Sequence, residues 1–198
     1  MRNWRQIAAT LTARYDNAAL RVAPPTAIDP ARLAWLAADR PAAWITLADW
    51  CFDGDAFGVA TLTGPDRLAL AHLAEAFSRE LDGSVLLDAA SGALARWRMR
   101  LTVKLHDTMA WRERRRADPW DCGYLVDEPA ARAALRRFAP RRATLIVASS
   151  PAPEHVAEAI AVLRANAARF DRPVRLLVLD VAPGALRLSA TSPCAGSR

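Results

Sequence analysis

Lysine is nearly missing from this 198-residue chain: Lys104 stands alone among 27 basic residues, and every other one is arginine. The bias fits the Ala/Arg/Leu usage of a GC-rich, bacterial genome. It also has a chemical consequence, because a guanidinium makes planar, bidentate contacts with phosphates and carboxylates that an ammonium does not. Cysteine is sparse. Cys51, Cys122 and Cys194 are far apart and form no CxxC pair, which removes the common zinc and dithiol motifs. Such a set fits reduced thiols in a cytoplasmic protein better than a disulfide scaffold. No apolar run approaches the roughly 18 residues of a membrane span, and the start, Met1-Arg2-Asn3-Trp4-Arg5-Gln6, leads into no apolar signal segment. Only 8 glycines are present, and none builds a GxGxxG, GxxxxGK[ST] or GxSxG motif. The common phosphate-cradling loops and the nucleophile elbow are thereby excluded. His72, His106 and His155 form no HExxH or HxH. No cofactor and no metal is expected.

With 53% hydrophobic and 24% charged residues, the composition is globular. A chain of this length buries roughly 70% of its unfolded surface without staples. The expected organisation is a single α/β domain over 1–190, with a candidate sub-boundary near 117–126 and a disordered tail over 191–198.

Along the chain, Trp4, Ile7, Ala8, Leu11 and Tyr15 share one face of a helix over 3–15. A short strand is expected at 19–23. Asp29-Pro30 opens a helix to about Asp39, with Asp29 as its cap. Ala43–Ala48 and Phe57–Thr63 read as strands of a hairpin around the Asp53-Gly54 turn. A helix to Leu81 follows, with Leu70, Leu73, Ala74, Phe77 and Leu81 as its buried stripe, and Asp82-Gly83 ends it. Ser84–Asp88 reads as a strand. Residues 111–123 read as polar and irregular. Asp127 is expected to cap a helix over 128–138. Then come a buried strand at 143–148, a long helix to about Phe170, a buried strand at 174–181 and a last strand at 185–190. The strand–helix–strand order with continuous apolar strands implies a parallel βαβ unit. The fold class is α+β: a mixed β-sheet with flanking helices and a C-terminal βαβ-like unit.

The clearest pattern lies in the middle. Trp97, Met99, Leu101, Val103 and Leu105 alternate with Arg96, Arg98, Arg100, Thr102, Lys104 and His106, the period of a strand with one dry and one wet face. Residues 96–142 hold 13 basic and 6 acidic residues, so the formal net charge of +6 arises wholly here. Arg96, Arg98, Arg100 and Lys104 would project about 6–7 Å apart along one face. That spacing suits the phosphates of a nucleic-acid strand or a row of carboxylates. Like charges this close repel unless neutralised, by carboxylates on neighbouring strands, by solvent ions or by a partner. Arg112, Arg114, Arg115 and Arg116 form a second basic element, with Trp111 and Trp120 beside it; interleaved arginine and aromatic residues can hold phosphates and stack on bases.

Other features read as structure. Asp49, Asp53 and Asp55 cluster around Cys51 but lack the EF-hand spacing and read as turn chemistry. Ser149-Ser150, between an apolar strand and a helix, sits where α/β sheets hold ligands, yet without a glycine it reads as a helix cap. A nucleophilic pair of Cys51 or Cys122 with His106 would need an adjacency that sequence does not show. The leading functional expectation is a non-catalytic binding or accessory protein that holds an acidic protein partner on the arginine-rich strand face. The alternatives are nucleic-acid binding through the same charges, and an enzyme on a small anionic substrate with His106 and Asp107 as its acid–base pair. Sequence leaves the oligomeric state open.

Overall fold

The computed structural model describes residues 19–25, 27–38, 41–53, 55–84, 119–149 and 152–191. Within them, β1 (Leu20–Arg21), α1 (Pro30–Ala38), α2 (Ala42–Phe52), β2 (Phe57–Gly64), α3 (Arg67–Leu81), β3 (Asp121–Leu125), α4 (Pro129–Leu135), β4 (Thr144–Ala148), α5 (Pro153–Asn166), β5 (Val174–Val181) and β6 (Arg187–Thr191) follow in order. The six strands form one mixed sheet in the order β1-β3-β4-β5-β2-β6. The four inner strands are parallel; β1 and β6 are antiparallel edges. The fold is α+β, and its β4–α5–β5 stretch is the parallel unit that the apolar strands imply.

The topology sorts the helices. The path β3–α4–β4–α5–β5 steps across the sheet in one direction, whereas β2–α3–β3 steps back over two strands. Right-handed crossovers in opposite directions must lie on opposite faces. The core is divided accordingly. Ala60, Leu62, Tyr124, Leu145, Val147 and Leu177 point to one face, against Leu36 of α1, Trp44 and Leu47 of α2, and Leu70 and Phe77 of α3. Val59, Ile146, Ala148, Val174 and Leu176 point to the other, against Leu135 of α4, Phe138 just after it, and Ala159 and Leu163 of α5. The period-two alternation of each strand thus feeds two separate cores.

Several expectations change. Ala43–Ala48 is the body of a helix, not one arm of a hairpin: Pro41 stands at its N-cap, and Ala43, Leu47 and Cys51 are buried at four-residue steps. A short apolar run satisfies either period, and the aspartate at position 49 completes a polar outer side only on a helix. The stretch read as irregular up to 123 ends in β3, an interior strand whose Asp121 and Tyr124 are buried. Gly123 hid it: a Cβ there would approach Leu20 Cβ to 3.1 Å, so the close fit of β1 against β3 requires a residue of low strand propensity. Asp127 does not cap α4. Glu128 holds the N-cap position without a side-chain bond, and Asp127 accepts from Arg132 Nε at 3.2 Å instead. Ser149 is not the cap of α5, whose N-cap is Ala152 with no side-chain bond, and Ser150 lies outside the described residues. The long helix stops at Asn166 and tightens into a 3-10 turn over Ala167–Arg169 before Phe170.

Other local signals act as read. The Asp29 carboxylate accepts from Ala31 N–H at 3.0 Å at the start of α1, and Gly83 takes a φ of 78° after α3, a conformation costly for residues with a Cβ. Asp66, which the sequence reading did not single out, caps α3 by accepting from Leu68 N–H at 2.9 Å.

Candidate functional site

The residues that sequence singles out, Arg96, Arg98, Arg100, Lys104, Arg112, Arg114, Arg115 and Arg116, lie outside the described residues, as do His106, Asp107 and Cys194. What the structure does fix is where the chain leaves for this segment and where it returns. The two points coincide. Trp120 N–H donates to Leu81 O at 2.9 Å, and Cys122 Sγ lies 3.4 Å from Ser78 O, so the last turn of α3 and the first residues of β3 are joined directly. The crossover β2–α3–β3 is therefore closed by its own hydrogen bonds. The chain leaves for the basic segment after Ser84 and returns at Pro119, both at the rim formed by the amino-terminal ends of the parallel strands.

Two further loops meet the same rim. The connection from α4 to β4 carries Arg136, Arg137, Arg141 and Arg142, and that from α5 to β5 carries Arg169 and Arg172. They are fastened to each other. Asn166 Nδ2 donates to Arg136 O at 3.1 Å, Thr144 N–H donates to Pro173 O at 2.9 Å, and the rings of Phe138 and Phe170 meet edge to face with centroids 6.4 Å apart. Asp121 N–H donates to Ala143 O at 2.8 Å, which attaches the return point of the basic segment to the first of these loops.

The opposite rim, where α/β sheets hold ligands, is arranged differently. At the carboxyl end of β2 the chain after β5 passes across: Ala182 N–H donates to Gly64 O at 3.0 Å, and a Cβ on Gly64 would meet Leu186 Cδ1 at 3.1 Å. The crevice between crossovers on opposite faces is thus filled by the protein itself. A cavity of about 270 Å³ lies further along, at the ends of β3 and β4, lined by Arg21, Tyr124, Asp127, Glu128 and Ser149 among others. Its charges are committed to one another. Arg132 hydrogen-bonds the Asp127 carboxylate and holds it below its ordinary pKa, with a smaller contribution from His155, and Arg21 lies 3.9 Å from Glu128.

Most of the buried polar side chains are engaged by the protein's own groups. His72 Nδ1 donates to Leu68 O at 2.7 Å, and its Nε2 accepts from Asp29 N–H at 3.0 Å, so it joins α1 to α3. His155 Nε2 donates to Val126 O at 2.9 Å, while its Nδ1 stands 3.8 Å from Asp127 Oδ1. Tyr124 donates its hydroxyl to Glu75 across the α3–β3 contact; burial, then this bond, pushes its pKa up. Arg175 is 1% exposed. It reaches from β5 to the end of α2, donating from Nε to Trp50 O at 3.1 Å, from Nη2 to Asp53 O at 3.0 Å and from Nη1 to Asp55 O at 2.9 Å. The aspartate cluster around Cys51 thus matters through its backbone carbonyls, which a cation caps at a helix C-terminus. Sequence reasoning missed this, because an arginine in the second position of an apolar strand carries no local sign of its partner.

No family model, curated protein or solved structure matches this chain. Among the described residues no helix is long and apolar enough to cross a membrane.

Cys51 illustrates how far the described thiols stand from nucleophilic chemistry. It is fully buried, and burial pushes its pKa from 9.0 up to about 12, against a smaller opposing effect of Arg175. Burial first, then Asp82, raises Cys122 as well. In a Cys194→Ser variant at pH 8, both thiols are expected to react with a disulfide reagent at least 100-fold more slowly in the native than in the urea-unfolded protein, since the thiolate is the reactive form. A fast native phase would contradict this. The sign for stability follows. Above pH 9 the unfolded chain releases the Cys51 proton and the folded one retains it, so stability falls as pH rises through 9.

Proposed function

We propose that the protein is a non-catalytic binding protein that holds an acidic protein partner through its basic segment, with Arg96, Arg98, Arg100 and Lys104 on one strand face and Arg112, Arg114, Arg115 and Arg116 beside it. The observation that carries this reading is charge segregation. Residues 96–118 hold eight basic and three acidic residues, which accounts for five of the six net charges of the whole chain. Elsewhere, arginines such as Arg132 and Arg136 are matched by Asp127 and Glu158 at 2.5–3.5 Å. The partner is a protein rather than a single-stranded nucleic acid because Trp120, the described aromatic next to the arginine run, is 4% exposed and packs edge to face on Phe52 at 5.6 Å. It offers no surface for base stacking.

Fluorescence anisotropy of the full chain tests this, with a labelled oligoglutamate peptide and a labelled oligonucleotide as probes at low and moderate salt. The peptide is expected to bind, and Arg98→Glu with Arg100→Glu to weaken it at least tenfold. Tight oligonucleotide binding that collapses with salt, alongside weak peptide binding, would replace the protein partner by a nucleic acid. Unchanged peptide affinity in the double variant would remove the strand as the contact.

A further inference from the structure

Fourteen arginines lie among the described residues. Eight are engaged: Arg21, Arg132, Arg136 and Arg142 with carboxylates, Arg32 over the ring of Trp35 at 4.5 Å, Arg175 with backbone carbonyls, and Arg67 and Arg79 with other groups. No ion pair or side-chain hydrogen bond engages the remaining six in the described structure. Five of those six, Arg137, Arg141, Arg164, Arg169 and Arg172, belong to the two loops at the amino-terminal rim and the helix end that feeds one of them. The sixth, Arg187, lies on β6.

We propose that these five arginines form a second contact surface for an acidic polypeptide, continuous with the point where the basic segment leaves the fold. The inference rests on the reading above and extends it to a surface whose geometry is fixed. Three observations make one surface of the five residues. Asn166 and Arg136 join the two loops, the Phe138–Phe170 ring pair braces them from beneath, and the Asp121–Ala143 hydrogen bond sets the return of the basic segment against them. Cations at helix C-termini complement the macrodipole, which accounts for arginines at the ends of α4 and α5. It does not account for Arg141 and Arg172, which stand past those ends, just before β4 and β5.

The chemistry of the rim selects a carboxylate-bearing chain. Guanidinium forks pair bidentately with carboxylates. Asp171 stands exposed between Arg169 and Arg172, which interrupts a continuous phosphate track but suits a protein surface of mixed charge. The rings at this rim, Phe138 and Phe170, are 3% and 9% exposed, so the described residues offer no stacking platform to bases. Such charges act chiefly on encounter, raising the association rate in a salt-dependent way.

The test uses the full chain, a labelled oligoglutamate of about 20 residues and a labelled single-stranded DNA of about 20 nucleotides. A rim variant (Arg137→Gln, Arg141→Gln, Arg169→Gln) is compared with a charge-matched control (Arg21→Gln, Arg32→Gln, Arg187→Gln). All six side chains are at least partly exposed, and circular dichroism checks that both variants fold. The rim variant is expected to bind oligoglutamate about tenfold more weakly at low salt, mostly through slower association, with the control within twofold of the natural chain. Equal losses in the two variants would overturn the rim as a site, since net charge alone would then act. Loss with Arg98→Glu and Arg100→Glu but none with the rim variant would overturn the rim and leave the basic segment standing. The reverse pattern would uphold the rim and remove the segment. A rim-dependent loss seen with DNA and not with oligoglutamate would overturn the acidic polypeptide as the ligand.

Discussion

Replacing Arg175 with methionine is expected to destabilise the protein by about 3–5 kcal/mol, although methionine approximates the length of the stem and suits the surrounding core. The cost comes from what is left behind. Carbonyls of Trp50, Asp53 and Asp55 each accept from the guanidinium at 2.9–3.1 Å. They lie where a helix end leaves such groups without intrahelical donors, and a buried polar group stripped of its partner costs about 1–3 kcal/mol. Methionine supplies no donor, and lysine, with a point charge and no fork, cannot reach three divergent oxygens, so Arg175→Lys should recover only part of the loss. In a chain of this size about 3–5 kcal/mol corresponds to a fall in Tm of about 6–20 °C. Urea unfolding of the two variants measures it directly, and a loss below about 1 kcal/mol for methionine would mean that water replaces the guanidinium at all three carbonyls. Gly58 probes the same site from the neighbouring strand. It pairs in register with Arg175, and a Cβ there would approach Arg175 Cδ to 3.2 Å. A free arginine would swing aside, but one fixed by its bonds to α2 cannot do so without losing them. Gly58→Ala should therefore destabilise by about 1–3 kcal/mol, the range for overpacking a well-filled interior, and the loss should shrink when Arg175 is already methionine.

How much of this was legible in the sequence depended on whether a signal was local. β2, β4 and β5 announce themselves by continuous apolar runs, and α3 by its 3.6-residue stripe, because burial on two faces or on one face leaves a periodic trace. The parallel β4–α5–β5 unit followed from those runs. α2 and β3 were misread for opposite reasons. α2 is so apolar that its period is masked, and β3 contains a glycine and an aspartate that only its neighbours explain: Gly123 makes room for Leu20, and Arg142 stands 3.7 Å from the Asp121 carboxylate. The strand order was not legible at all, since β6 passes its chain neighbour β5 to pair with β2, a choice made by tertiary packing. Charge was legible as composition and not as position. The basic segment was visible at once, whereas the rim arginines, spread over Arg137 to Arg172, come together only through the βαβ crossovers.

The junction at Leu81 and Trp120 leads to the second large expectation: residues 85–118 can be exchanged for a Gly/Ser linker of about six residues without loss of the fold. A βαβ crossover needs only enough chain to carry its helix back to the start of the next strand, and α3 already ends in hydrogen-bonding distance of β3. Shortening a connection of this length changes the closure entropy by only about 1–2 kcal/mol. The shortened protein should unfold cooperatively, with Trp120 still shielded from solvent quenchers. Its affinity for oligoglutamate should fall at least tenfold, since four of six net charges leave with the segment. What remains would be due to the rim, and adding Arg137→Gln, Arg141→Gln and Arg169→Gln to the shortened chain should abolish it. If the shortened chain instead loses its cooperative transition, the apolar side of the 96–105 alternation is part of the core, and the basic side is then held as rigidly as the sheet. If it folds and binds as well as the full chain, the rim alone makes the contact. Where the shortened chain folds, the physical reason is that a crossover closed by its own hydrogen bonds tolerates added chain between its helix and its next strand.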